Sequence, residues 1–259
     1  MSLAPKMDEV SEFITRNHIN LAFVTETWLK DSVLDTVVDI PGFAIVREDR
    51  KTLEHGGVCA YIQEKRCKYK QLNDLKCCDD HETLWLQLRP NRLPRGLSCI
   101  IAVVIYHPPK ADGTSTREHL FQSLALVETR YPDCGLVVTG DFNRLDIKGL
   151  LNHFLFQQIV KVPTRKDAIL DLVPTNMQEC YSPPQAYPPF GLSDHNAVVV
   201  SPKDGKRDVN RKQIVKRRDL RECNKAALGR YLTSLDWPLL SASTGSCQEK
   251  ILHCRTHRA

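Results

Sequence analysis

The stretch Leu136-Val137-Val138-Thr139-Gly140-Asp141-Phe142-Asn143 is the part of this sequence that most narrows the choice of fold. Its apolar first half predicts a buried strand, and its polar second half predicts the end of that strand. Asp141 and Asn143 lie two positions apart, so in extended backbone both side chains point to one side while Phe142 points to the core. A turn would also accept Asp and Asn, but the one-sided spacing at a strand end favours a site.

A second polar group, Ser193-Asp194-His195, stands directly before the apolar run 197–200. Taken alone, this tripeptide has an ordinary explanation as a helix cap or a turn. Together with Asp141 and Asn143 it supplies carboxylate, carboxamide and imidazole groups at strand ends. An Asp can orient or deprotonate a water and an Asn can donate to a phosphate oxygen, so the set predicts metal-assisted attack on a phosphodiester.

Three more polar residues fall at the end of an apolar run or inside one. Glu26 ends a buried strand, where an ionised Glu is costly unless a cation meets it. Tyr106 ends another, and its hydroxyl can donate to a phosphate oxygen. Asp171 lies inside a third, and its expected partner is His195, whose tautomer and charge it would fix. Each residue has a structural explanation by itself, but their common placement favours one shared site.

Helical and strand patterns alternate along most of the chain. Apolar residues at helical spacing predict helices at about 6–17, 116–130 and 150–156. Short apolar runs bounded by Gly, Pro and Asn predict strands at 21–25, 43–46, 58–62, 84–88, 100–106, 136–139, 169–173 and 197–200. Strands outnumber helices and several form hairpins, so the sequence predicts a mixed α/β sandwich rather than a doubly wound sheet.

The composition is that of a globular domain followed by a basic tail. The 259 residues are 42% hydrophobic and 26% charged, with a net charge of +5. Residues 201–259 hold 14 Lys and Arg against 6 Asp and Glu. We therefore expect a globular domain over 1–201 and a basic linker with a weakly structured tail over 202–259, including a short helix capped by Asn224. The segment 203–218 could contact nucleic acid phosphates or serve only as a solvated linker.

The sequence contains no apolar stretch long enough to cross a bilayer, and its first ten residues lack the apolar segment of a secretory signal. The expected location is intracellular, in the nucleus or the cytoplasm. The ten cysteines form no Cys-x-x-Cys pair and are expected to be free thiols. We expect a monomer that does not contact a membrane.

Five motifs occur in an order that resembles the endonuclease/exonuclease/phosphatase family. They are Glu-Thr-Trp at 26–28, Tyr-x-Pro at 106–108, Gly-Asp-Phe-Asn at 140–143, Leu-Asp-Leu at 170–172 and Ser-Asp-His at 193–195. Within that family, the chain is similar to the apurinic-endonuclease-like domain of non-LTR (LINE, jockey-like) retrotransposons. The Leu-Asp-Leu motif followed by Thr175-Asn176 is especially typical of that branch. The resemblance covers about residues 3–201.

The resemblance implies a fold, a cofactor and a substrate. The fold is a four-layered α/β (α+β) sandwich of two mixed sheets packed face to face, with helices outside and the site at one end. Members of the family cut phosphodiester bonds with Mg²⁺ or Mn²⁺, and the retrotransposon enzymes nick target DNA to prime reverse transcription. By motif, Glu26 would bind the metal, Asp194 would complete the metal-side carboxylates, and Thr164 would contact the DNA backbone.

The resemblance also assigns the chemistry to five motif residues. Asp141 would position or deprotonate the attacking water, and Asn143 and Tyr106 would hold the phosphate. His195, oriented by Asp171, would stabilise the charged transition state. The implied enzyme is an Mg²⁺- or Mn²⁺-dependent endonuclease, a hydrolase whose partner is DNA.

The sequence departs from the family at three places. Family members open with a strand that carries an Asn near the metal, whereas this chain reaches its first helix almost at once and has Asn17 and Asn20 only after it. We therefore expect the sandwich to lack its first strand. Pro174 stands where the branch has an apolar residue and would cost a strand hydrogen bond. No reverse-transcriptase motif follows.

Two alternatives to DNA nicking stay open. The missing first-strand Asn favours a catalytically impaired element remnant with residual metal or nucleic-acid binding, whereas the retained site residues favour activity. The family resemblance is also compatible with a phosphatase that acts on a small phosphorylated substrate.

Overall fold

The computed structural model describes residues 2–51, 55–75, 81–203 and 222–234. The chain forms two compact units, residues 1–218 and 219–259. Backbone pairing in the first unit continues to Lys203, whose N–H donates to the Cys180 carbonyl at 2.8 Å. Most of the basic segment 203–218 lies outside the described residues.

The elements follow the apolar runs of the sequence closely. The helices are α1 (Met7–Arg16), α2 (Gly113–Arg130), α3 (Lys148–Phe154) and α4 (Glu222–Thr233). The strands are β1 (Leu21–Thr25), β2 (Phe43–Glu48), β3 (Val58–Gln63), β4 (Cys67–Gln71), β5 (Glu82–Pro90), β6 (Cys99–Tyr106), β7 (Cys134–Asp141), β8 (Gln157–Gln158), β9 (Asp171–Leu172), β10 (Pro174–Thr175), β11 (Gln185–Tyr187) and β12 (Ala197–Val199). Helix α2 begins after Asp112 because that carboxylate accepts the N–H groups of Thr114 and Ser115 at 2.9 and 3.3 Å.

The strands pair into two main sheets. The small sheet has the order β1-β3-β2 and is antiparallel throughout. The large sheet has the order β4-β5-β6-β7-β10-β8, with β9 also paired to β7. Its β6 and β7 run parallel because α2 connects them, and its other pairs are antiparallel. Strands β11 and β12 form a separate antiparallel pair.

Alternating residues of β6 show how the layers are built. Val103 and Ile105 belong to an apolar cluster with α2 and α3, whereas Val104 and Tyr106 belong to a cluster with the small sheet. A third cluster, which includes Ile14, packs α1 on the outer face of the small sheet. The four layers are therefore α1, the small sheet, the large sheet, and α2 with α3. The expected four-layered α/β sandwich is confirmed.

The described residues ahead of α1 contain a short 3-10 turn, Ala4–Lys6, and no strand. Among the described strands, β1 lies at an edge of the small sheet. Thr27 lies just past the end of β1, and its carbonyl accepts the Leu3 N–H at 2.9 Å. The start of the chain therefore packs next to the end of β1 without forming a ladder.

The expected strand at 169–173 is shorter and is interrupted. Strands β9 and β10 keep one register against β7, but the ladder with β7 is not formed at Val173, which lies between them, or at Pro174, the first residue of β10. Pro174 has no N–H to donate, and the Val173 N–H donates instead to the Gln158 side chain at 2.7 Å. The expected loss of a strand hydrogen bond at Pro174 agrees with this break.

In the second unit, α4 begins at Glu222, so the expected cap Asn224 lies within the helix rather than before it. None of the described helices is long and apolar enough to cross a membrane.

Candidate active site

Four polar residues form one row across the large sheet. Glu82 on β5 is paired in register with Tyr106 on β6, Tyr106 with Asp141 on β7, and Asp141 with Asp171 on β9. Residues directly opposite each other on neighbouring strands lie on the same face of a sheet. The large apolar side chain that follows Asp141, Phe142, packs on the other face with α2 and α3. The row therefore faces the small sheet at the end of the sandwich.

Gly140 is needed for the close approach of β6 and β7. Its φ is +133°, and a Cβ atom built on it would lie 1.9 Å from the Ile105 carbonyl oxygen. Strand β7 continues through Gly140 to Asp141. The backbone changes direction at Asn143, whose φ is +48°.

Asp141, Asp171 and His195 come together as a compact group. One possible ligand atom from each lies within 4.8 Å of the others. His195 Nδ1 lies 2.8 Å from Asp171 Oδ2, which is the pairing expected from the sequence. This hydrogen bond raises the pKa of His195, although burial acts in the opposite direction.

Asp141 is an acid whose environment disfavours its charge. Burial, and next the nearby Asp171 carboxylate, raise the pKa of Asp141 to about 7, while His195 opposes the change. Asn143 holds both oxygens of this carboxylate: its N–H donates to Oδ1 and its Nδ2 donates to Oδ2, each at 3.0 Å. The same Nδ2 donates to the His107 carbonyl at 2.9 Å, which fixes the side chain.

Glu26 and Tyr106 connect the two sheets at the site. Glu26 follows β1 with a φ of +53°, and its carboxylate accepts a hydrogen bond from the Tyr106 hydroxyl. Burial, and next this carboxylate, raise the pKa of Tyr106. Glu26 therefore lies beside the row of polar residues, as expected for a residue of the same site.

Asp194 lies farther out, at the rim. Its Oδ2 pairs with Arg165 Nη2 at 2.5 Å, and its side chain is 60% exposed. Among the residues that the structure describes, Asp194 is not part of the compact group of possible ligands. Lys6, which the sequence did not single out, interacts electrostatically with both Asp194 and Glu26, while burial lowers its pKa.

Thr164, the residue expected to contact the DNA backbone, lies inside the protein. It is fully buried, and its hydroxyl oxygen accepts the N–H groups of Leu170 and Asp171 at 2.9 and 3.1 Å. Its carbonyl accepts the Asn196 N–H at 2.7 Å. The expected DNA contact is corrected: with no exposed surface, Thr164 joins the backbones next to Asp171 and His195 instead.

The donor chemistry fits a hard divalent cation. Carboxylate oxygens are the ligands that Mg²⁺ and Mn²⁺ prefer in proteins. The negative charges of Asp171 and Glu26 both contribute to the raised pKa of Asp141. A bound cation would offset that repulsion, so the arrangement of charge, as well as the residue types, suits such an ion.

Sequence reasoning missed Glu82, the buried acid at the end of the row. The available signal was the one used for Asp171, an acid at the edge of an apolar strand. Its place opposite Tyr106 depends on the pairing of β5 with β6 and could not be read locally.

The fold has clear counterparts among solved structures. The endonuclease domain of TRAS1, a telomere-specific non-LTR retrotransposon, matches with a TM-score of 0.57 and 16% identity over 77% of this chain and 92% of that domain. The 3' phosphatase NExo from Neisseria, bound to a product DNA hairpin, matches with a TM-score of 0.54 and 13% identity over 78% and 95% of the two chains. An endonuclease/exonuclease/phosphatase family protein from Bacteroides thetaiotaomicron matches with a TM-score of 0.54 and 10% identity over 76% and 88%.

No family model matches the sequence, and no curated protein matches it. At these identities a structural likeness identifies the fold, and the four layers described above agree with it. The chain therefore shares the four-layered fold of these nuclease and phosphatase structures.

Proposed function

We propose that this protein is a divalent-metal-dependent phosphodiesterase that nicks DNA, derived from a retrotransposon endonuclease. The compact group of Asp141, Asp171 and His195 carries the proposal, because it combines a base, an orienting acid and a cationic imidazole at one strand end. Tyr106 belongs to the same row as Asp141, and Asn143 donates to the Asp141 carboxylate.

Asp141 would accept the proton of the attacking water. A pKa of about 7 suits a general base at neutral pH, since the group is then basic enough to take a proton and still substantially ionised. The two hydrogen bonds from Asn143 fix the direction of the carboxylate. Geometry and pKa therefore support the same role.

His195 would stabilise the negative charge that develops on the phosphoryl group. Its bond to Asp171 favours the imidazolium and leaves the Nε2–H free to point toward a phosphate oxygen. Tyr106 and the Asn143 amide would hold other phosphate oxygens, and Tyr106 would then exchange its bond to Glu26 for one to substrate.

Mg²⁺ or Mn²⁺ is the proposed cofactor, held by Glu26 and, once Arg165 releases it, by Asp194. A bound ion would supply Lewis-acid stabilisation of the leaving oxygen. Asp171 and Asp141 add carboxylate charge that favours cation binding.

DNA is the proposed partner. Among the similar structures, one is a retrotransposon endonuclease domain and another contains a DNA product. Arg144 and Lys166 are exposed next to Asn143 and Arg165, where they could contact phosphates. The segment 203–218 could extend such contacts. A monomer in the nucleus or cytoplasm remains our expectation.

A plasmid assay tests the proposal. With Mg²⁺, the purified protein should convert supercoiled plasmid to the nicked form, and a chelator or Asp141→Ala should abolish this conversion. Asp146→Ala, at an exposed aspartate on the loop after β7, is the matched control and should retain activity. Hydrolysis of a small phosphomonoester without nicking would favour the phosphatase alternative. A folded wild type inactive on both substrates would favour the impaired remnant.

A further inference from the structure

Glu82 is a buried acid to which the proposed reaction assigns no role. Glu82 is the first residue of β5 and is 5% exposed. Its Oε2 accepts a hydrogen bond from the Gly57 N–H, and its Oε1 lies 2.9 Å from Arg50 Nη1. Burying a carboxylate costs free energy even when it is paired with a cation, because both groups lose their hydration.

The Gly56-Gly57 segment that Glu82 holds is bonded in turn to the chain just after Glu26. The Gly57 carbonyl accepts the Thr27 N–H at 3.2 Å, and the Gly56 carbonyl accepts the Trp28 N–H at 2.8 Å. A continuous path of hydrogen bonds therefore runs from the Glu82 carboxylate to the residues that follow Glu26.

The backbone around Glu26 needs such support. Glu26 and Trp28 have φ values of +53° and +54°, a left-handed conformation that non-glycine residues rarely adopt. Residues in this region persist only where the surrounding structure imposes the conformation. The two bonds to the Gly56-Gly57 segment are the described backbone bonds that Thr27 and Trp28 donate.

Gly56 and Glu82 fit closely together. A Cβ atom on Gly56 would lie 2.4 Å from Glu82 Oε2, and the φ of Gly56 is +112°. The segment can pass over the carboxylate only because this position has no side chain.

We propose that Glu82 is a positioning residue for Glu26: by holding the Gly56-Gly57 segment, its carboxylate fixes the left-handed backbone that directs Glu26 toward the row of polar residues. This inference rests on the proposed function for the role of Glu26, while the backbone path itself is independent of any reaction. In this role Glu82 would touch neither substrate nor metal.

Amide hydrogen exchange tests the backbone path without metal or substrate. Glu82→Gln keeps the size of the side chain but loses the ion pair with Arg50. We expect the amides of Thr27 and Trp28 to exchange at least about 10-fold faster, while amides in the centre of β7 stay unchanged. Equal acceleration at all amides would indicate only global destabilisation and would overturn the inference. Unchanged exchange at Thr27 and Trp28 would overturn it too.

Binding of Mn²⁺ alone, measured by electron paramagnetic resonance, tests the consequence for Glu26. Glu82→Gln should weaken Mn²⁺ binding by about 10-fold, and Glu82→Asp, which keeps the charge but is shorter, should weaken it less. The matched control is Glu128→Gln, which alters another buried glutamate, on α2 across the large sheet, and should leave Mn²⁺ affinity unchanged.

The two measurements separate this inference from the proposed function. A wild type that binds no Mn²⁺ would contradict the proposed metal dependence, and the amide exchange would still decide whether Glu82 holds the backbone. Normal Mn²⁺ affinity in folded Glu82→Gln would overturn the positioning role.

Discussion

His195 Nδ1 lies 2.8 Å from Asp171 Oδ2, although the two residues are 24 positions apart in the chain. Backbone hydrogen bonds to one nearby residue hold both side chains in position. Thr164 receives the Asp171 N–H on its hydroxyl and the Asn196 N–H on its carbonyl, so one buried residue holds the neighbours of both partners. The pair is therefore fixed before any substrate binds.

Replacing Asp171 by Asn should separate orientation from charge at this pair. The variant loses the acid that raises the pKa of His195, so that pKa should fall toward its ordinary value, and nicking should fall by about 100-fold. Histidine proton shifts followed by NMR against pH measure the first effect. Asp167→Asn, at an exposed aspartate nearby, should change neither quantity, and an unchanged His195 titration in Asp171→Asn would contradict the assignment.

Asn143 should be required for activity through its side chain rather than its backbone. Asn143→Gly and Asn143→Ala both remove the side-chain hydrogen bonds to Asp141 and His107 and keep the backbone bond to Asp141, so both should reduce nicking by about 100-fold. Glycine accepts a φ of +48°, so Asn143→Gly should be more stable than Asn143→Ala by about 1 kcal/mol. Urea unfolding and plasmid nicking test the two effects, and an active Asn143→Ala would refute the role.

Gly140→Ala should weaken the fold at the β6–β7 pair. The new methyl group would clash with the Ile105 carbonyl, so we expect a loss of roughly 2–3 kcal/mol in the free energy of unfolding. Gly149→Ala is the matched control, because Gly149 lies in α3 and a Cβ atom there would lie 3.9 Å from the Phe121 ring. Urea unfolding of both variants gives the comparison, and equal stability would contradict the close-approach argument.

The rate of nicking should depend on pH through Asp141. A general base acts in its ionised form, so activity should fall about 10-fold for each pH unit below the pKa of about 7. A bound cation stabilises the carboxylate and should move this limb to lower pH as the metal concentration rises. Profiles of kcat/KM at several Mg²⁺ concentrations test both statements. A profile that is flat from about pH 5 to 8 would exclude Asp141 as the base.

His119 should make the fold sensitive to acid. This histidine is 4% exposed, and burial, with a smaller effect of His81, lowers its pKa to about 4. The unfolded chain takes up a proton near pH 6.5 and the folded chain only near 4, so stability falls as pH decreases between these values, by up to about 1.4 kcal/mol per pH unit.

Comparison with His119→Gln isolates this effect, because the raised pKa of Asp141 changes stability in the opposite direction over much of the same range. Urea unfolding at about pH 7 and pH 5 should show a smaller loss of stability in the variant. An equal loss in both proteins would show that His119 does not contribute.

The sequence predicted best those features that depend only on the local pattern of apolar and polar residues. Strand β1 was predicted with its observed ends, because an apolar run is bounded by Asn20 and Glu26. Strand β4 was missed because its Lys68 and Lys70 make it polar, as is common for edge strands. The motif residues were predicted for the same local reason: a polar group beside an apolar run is unusual.

The local pattern could not predict the register in which the strands pair. The alignment of Glu82 with Tyr106, and of Asp141 with Asp171, depends on hydrogen bonds between segments far apart in the chain. The burial of Thr164 depends on packing of the same kind. These contacts decide which polar residues share a site and which only support it.

The single row that contains Tyr106, Asp141 and Asp171 limits how a protein of this kind can diverge. Substitution can change the side chain at a position of the row, but backbone pairing keeps the strands about 4.8 Å apart. The loops that follow β6 and β7, residues 107–112 and 142–147, are free of that constraint. Descendants of such a chain would therefore acquire new substrates through their loops while keeping the same chemical step.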